Sequence, residues 1–200
     1  MRASWCASAI AVVMVALFLG QAVGQDYPID RGSSIVGGAF AFSSMGGDLY
    51  EAQGGRTTVA AASADLSYFV SPGVALGGVF ALARTSVGSS TSLSWGIGPQ
   101  GTLFIGAGSR PQIVGTIYPF FQIGVIYQRG SSDEYYEDQD FSGTTISLGG
   151  GFVRMFSRDV GLSVEMTYDI DNMSFESYDG EYSESGNKIG IGIGLVFFRY

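Results

Sequence analysis

The chain has no histidine, and its one cysteine is Cys6. Without histidine it lacks the commonest general base at neutral pH and the commonest metal ligand. If the first residues are removed on export, as their pattern suggests, no thiol remains either. Disulfides, zinc–cysteine sites and thiol catalysis are then excluded. Lysine is almost missing too, Lys188 being the only one. Acidic residues outnumber basic ones by 18 to 10, for a formal charge of −8, one unit more negative once Arg2 is lost. Phosphate binding needs clustered Lys and Arg, so nucleic acid is not an expected partner. Charged residues make up only 14% of the chain, which is little for a surface that must face water everywhere. After residue 24 no stretch offers the 18 or so consecutive apolar residues of a membrane-crossing helix.

What is present begins with an export signal. Arg2 is followed by an apolar run at 9–19 (AIAVVMVALFL) and by the small pair Ala22 and Gly24. This run is too short to cross a bilayer as a helix but has the length of a signal-peptide core. Cleavage is expected after Gly24, leaving 25–200 as one domain. No cysteine follows, so no lipoprotein anchor is expected.

Residues 25–200 alternate between apolar-rich stretches and turn-rich ones. At 160–171, Val160, Leu162, Val164, Met166, Tyr168 and Ile170 share one face, and Gly161, Ser163, Glu165, Thr167, Asp169 and Asp171 the other. Strict period two is a strand pattern, and its length suits a tilted membrane-crossing strand. Seven further strands are expected near 34–44, 56–70, 74–85, 93–105, 113–128, 144–156 and 188–200. Segments 71–73 and 157–159 read as tight turns. Segments 46–55, 130–143 and 172–187 read as longer polar loops, whereas 86–92 and 106–112 are of similar length. With no membrane helix, only a closed sheet pairs every backbone polar group inside hydrocarbon. The expected fold is all-β: a transmembrane antiparallel up-and-down barrel of eight strands. Long loops then lie outside the cell, and short turns and both termini on the periplasmic side.

The chain ends Phe197-Phe198-Arg199-Tyr200. Phe198 and Tyr200 fit the aromatic assembly signal at the end of bacterial outer-membrane barrels. If both face lipid, a regular strand turns Gly190, Gly192 and Gly194 outward and Ile189, Ile191 and Ile193 inward, unless a bulge near Leu195 resets the phase. The stretches 68–78 (YFVSPGVALGG) and 118–125 (YPFFQIGV) resemble the first periplasmic hairpin and the central strand of small Gram-negative outer-membrane barrels of the OmpA/OmpX type. That resemblance implies the cell outer membrane as location. It implies outer-membrane lipids, lipopolysaccharide and the barrel-assembly machinery as partners, and no particular reaction.

Three features carry candidate chemistry. Gly96-Ile97-Gly98-Pro99-Gln100-Gly101 fits G-x-G-x-x-G, but a dinucleotide site needs a helix after it, and Pro99 in a strand setting argues for glycines that ease strand packing. No cofactor is expected. The acidic stretch 133–140 (DEYYEDQD), with Asp169, Asp171, Glu176, Asp179, Glu181 and Glu184, reads as solvated outer loops. The alternative is weak bridging of divalent ions or lipopolysaccharide, although calcium-loop spacing is missing. Asp65 and Glu165 lie within strands and are expected in the lumen with Gln122. They need partners there, for which Arg56, Arg84 and Arg154 are candidates. Leu162, Val164 and Met166 are expected to face lipid. Paired carboxylates hydrolyse glycosides in some enzymes, yet no sugar cleft is indicated, and no catalytic or metal residue is assigned.

The expected function is a non-enzymatic outer-membrane barrel with a structural or surface-interaction role, its acidic loops meeting an unspecified surface ligand. One alternative is a narrow channel or transporter for small or hydrophobic solutes. Another is a secreted lipocalin-like lipid carrier, because inverting a barrel preserves the alternation.

Overall fold

In a computed structural model, residues 29, 31–46, 58–87, 90–106, 115–134, 137–177 and 180–199 are described. They form eight strands: β1 (Ser34–Gly46), β2 (Thr58–Ser71), β3 (Val74–Val87), β4 (Ser90–Phe104), β5 (Ile117–Glu134), β6 (Glu137–Met155), β7 (Val160–Ser177) and β8 (Gly180–Arg199). Each pairs antiparallel with the next, and β1 pairs with β8, closing the barrel. Closure leaves no open sheet edge. The segment expected to be an export signal lies outside the described residues.

Alternation decides which way each strand faces. On β7, Gly161, Ser163 and Asp171 are buried, while Met166, Tyr168 and Ile170 are exposed. The outward positions of the other strands are apolar as well, among them Phe40, Phe80, Trp95, Phe121, Leu148 and Ile191. Tight connections set the register at one end. Between β2 and β3, Gly73 takes a φ of 77°, which suits glycine. Its N–H bonds the Ile29 carbonyl at 3.0 Å. Between β6 and β7, the Ser157 hydroxyl accepts the N–H groups of Asp159 and Val160 at 3.3 and 3.1 Å.

Two sequence expectations are corrected. The stretches 130–143 and 172–187 are mostly not loops. β5 and β6 pair as far as Glu134↔Glu137, and β7 and β8 as far as Ser177↔Gly180. These extensions are mostly polar and carry only a few apolar residues, such as Phe141, Met173 and Phe175, too few to mark a sustained alternation, yet backbone pairing continues. The stretch 86–92 is likewise mostly paired, as far as Val87↔Ser90.

The phase of β8 is the second correction. Its register with β7 and β1 carries no bulge, Ile189, Ile191, Ile193 and Leu195 point outward, and Gly190, Gly192, Gly194 and Phe198 point inward. Phe198, only 4% exposed, is therefore a core residue and does not face lipid. The physical reason is room: side chains from β7 fill the space beside the glycines. A Cβ on Gly192 would sit 2.8 Å from Glu165 Oε1. Tyr200 lies outside the described residues.

Candidate functional site

The lumen is layered. At the turn end it is closed by four rings, Phe69, Phe104, Phe120 and Phe198. Phe104 lies 5.6 Å from Phe69, 5.7 Å from Phe120 and 6.4 Å from Phe198 between centroids. Tyr118, Val153, Met155 and Val196 pack around them, and Ile29 joins from the segment before β1. That segment is tied beneath the floor by paired backbone bonds between Gly32–Ser33 and Phe69, each 2.9 Å. The aromatic pairs gain contact beyond simple area burial.

Above this floor is a cavity of about 150 Å³ lined by Asp65, Gln100, Gln122, Glu165, Asp169 and the upper faces of Phe104 and Phe120, among others. Asp65 on β2, Gln122 on β5 and Glu165 on β7 thus meet in one chamber. Gln122 Nε2 donates to Glu165 Oε2 at 3.2 Å, and Gln100 Nε2 donates to Gln122 Oε1 at 3.4 Å. The arginines expected as partners of the carboxylates are not there. Arg84 and Arg154 stand on the outer face, exposed, because their even positions on β3 and β6 share the phase of Leu82 and Phe152. Arg56 lies outside the described residues.

Among the described residues the lumen's cation is Lys188. Its Nζ lies 3.2 Å from Asp171 Oδ1 and 3.9 Å from Asp169 Oδ2. The Ser147 hydroxyl donates to Asp169 at 2.5 Å. The Thr145 hydroxyl donates to Asp171 and accepts from Gln128 Nε2 at 2.6 Å. These bonds form an arch across β5, β6, β7 and β8 above the cavity. Asp171 is fully buried, and a charge so placed needs this many partners. Asp169 and Asp171 are thus not part of an acidic outer loop. Nearer the loop end, Phe175 lies 5.8 Å from Phe141 and stacks on Tyr182 at 5.1 Å.

Leu162, Val164 and Met166 lie on the outer face, with Met166 62% exposed. The glycine-rich 96–101 lies inside β4, which continues as a strand to Phe104. Among the described residues no three Asp, Glu, His or Cys side chains converge as a metal-ligand group. Sequence reading missed the arch and the aromatic floor. The available signal was the odd-numbered polar face of β7, which runs on through Asp169 and Asp171 without a break.

No protein-family model matches the chain, and no curated protein matches it. Solved structures do. Neisserial surface protein A has a TM-score of 0.62 at 11% identity, over 84% of this chain and 99% of that one. The outer membrane protein OprG from Pseudomonas aeruginosa has a TM-score of 0.56 at 14% identity, over 88% and 100%. The outer membrane protein AlkL, determined in lipid bilayers, has a TM-score of 0.55 at 13% identity, over 89% and 94%. With its own eight-stranded closed sheet, this chain shares the fold of these small barrels.

Proposed function

We propose that the protein is an outer-membrane barrel that acts through its surface, not through a wide pore or a reaction. The observation that carries the reading is the inversion of polarity: large apolar side chains are exposed around the outer wall, while carboxylates, amides and a lysine fill the lumen. Bilayer hydrocarbon is the solvent that tolerates such a wall. The same distribution disfavours a lipocalin-like carrier, whose apolar side faces inward. The fold shared with solved barrels, two of them outer-membrane proteins, supports the location.

Floor and arch in series close the lumen, as expected where eight strands leave space only for side chains. Without histidine, the serines and threonines that line the lumen lack the commonest base that would activate them. The projecting β5–β6 and β7–β8 hairpins, rich in Asp and Glu, are the parts that would meet a surface or partner. Planar-bilayer recording of the refolded protein is expected to give little or no steady conductance. Stable channels of porin size would overturn the plugged reading.

A narrow conduit is the second reading, favoured by the cavity between floor and arch. Its acidic lining would suit a small cationic solute. Cation-selective conductance in the wild type would decide for it.

A further inference from the structure

Charge is divided between the two ends of the barrel. At the loop end the strands carry acidic residues: Asp133 and Glu134 on β5, Glu137, Asp138 and Asp140 on β6, Glu181 and Glu184 on β8. At the turn end the described charged residues are four arginines, Arg31, Arg154, Arg158 and Arg199, and one carboxylate, Asp159. All four arginines are exposed. They are also neighbours. Arg154 ends the outer face of β6, Arg158 sits in the β6–β7 turn, Arg199 ends β8, and Arg31 precedes β1, whose Ser34 pairs with Arg199. The turn is held against β8 by the Phe198 N–H, which donates to the Asp159 carbonyl at 2.8 Å. Around the rest of the rim, the ends of β2 and β4 and the starts of β3 and β5 contribute no Lys or Arg among the described residues. The described basic residues of this end therefore lie together, in an arc from β6 round to the start of β1.

We infer that this arc binds the phosphate groups of anionic phospholipids in the membrane leaflet at the turn end. The inference rests on the membrane reading above. Its own support is the arc's position and chemistry. Phe152, Phe156 and Phe197, all exposed, stand on the same strands and turn beside the arginines. Aromatic rings next to an apolar wall mark the level where hydrocarbon gives way to headgroups. Guanidinium groups at that level meet phosphate oxygens, which they bind with paired N–H donors. Arginines on neighbouring strands and the turn between them can engage one headgroup together, which makes the arc a local site.

The test is refolding of the full chain into phosphatidylcholine vesicles with and without phosphatidylglycerol, followed by mass spectrometry of the lipid retained on extraction. Wild type is expected to insert in both and to keep phosphatidylglycerol several-fold over phosphatidylcholine. Arg154→Gln/Arg158→Gln/Arg199→Gln should lose that preference, and Arg84→Gln/Arg129→Gln, altered at the opposite side of the belt, should keep it. Equal retention of both lipids by inserted wild type overturns the arc and leaves the membrane reading standing. Failure of wild type to insert in either vesicle overturns both. Capture of soluble polyphosphate by the detergent-solubilised protein in preference to phosphatidylglycerol also overturns it. If the triple variant does not fold, salt decides with wild type. The preference must fall as ionic strength rises, and insensitivity to salt overturns the proposal.

Discussion

At the residue scale, the most demanding position is Asp171, fully buried in a barrel whose only lysine reaches it. Its charge is matched by Lys188 and Thr145, and Lys188 is shared with Asp169. Lys188→Met removes the cation and leaves the two neighbouring carboxylates of β7 without it. The expected loss is about 2–3 kcal/mol, at or below the low end for removing one partner of a buried pair, because Lys188 and Asp169 keep some solvent contact. Urea unfolding in vesicles measures it. Adding Asp171→Asn to Lys188→Met should restore part of the loss, and no recovery would mean that the arch is not what the lysine supports. That lumen carboxylates need partners was legible from Asp65 and Glu165, but Glu165 takes the Gln122 amide, and the cation, Lys188, serves Asp169 and Asp171. Residue type alone offered several arginines. Strand phase, set by pairing, turned Arg84 and Arg154 outward and left Lys188 inside.

At the element scale, β7 was readable because one of its faces is apolar and the other polar for its whole membrane length. Arginine in place of Val164, on the outer face, is expected to cost about 2–4 kcal/mol if the site lies at the bilayer midplane. Bilayer refolding measures this, and a wild-type stability for Val164→Arg would refute lipid contact there. β8 was harder. Glycine and isoleucine alternate along it, and both are compatible with either face until neighbours are known. The β5–β6 and β7–β8 extensions were harder still, since paired polar strands outside hydrocarbon carry no periodic signal. Their pairing sharpens the topology prediction. External chymotrypsin on intact cells should cut at Tyr135 and Tyr136, where two residues join β5 to β6, and should spare 157–159. The reverse result would invert the barrel's orientation.

At the scale of the whole molecule, the two closures lie in series. Lys188→Met should therefore leave planar-bilayer conductance near background even though it breaks the arch, because the four phenylalanines still seal the turn end. Steady channels from that single variant would make the arch the sole barrier. The sequence by itself determined the all-β class, the strand count and the two-faced wall. These follow from composition and from local alternation, clearest along β7, and need no contact between distant segments. Only the tertiary structure decided which polar groups meet, how β8 is phased and that Phe198 belongs to a sealed floor. Those facts depend on register between strands far apart in sequence, above all on the closing β1–β8 pair, and a one-residue change of register would have turned every side chain of a strand to the opposite face.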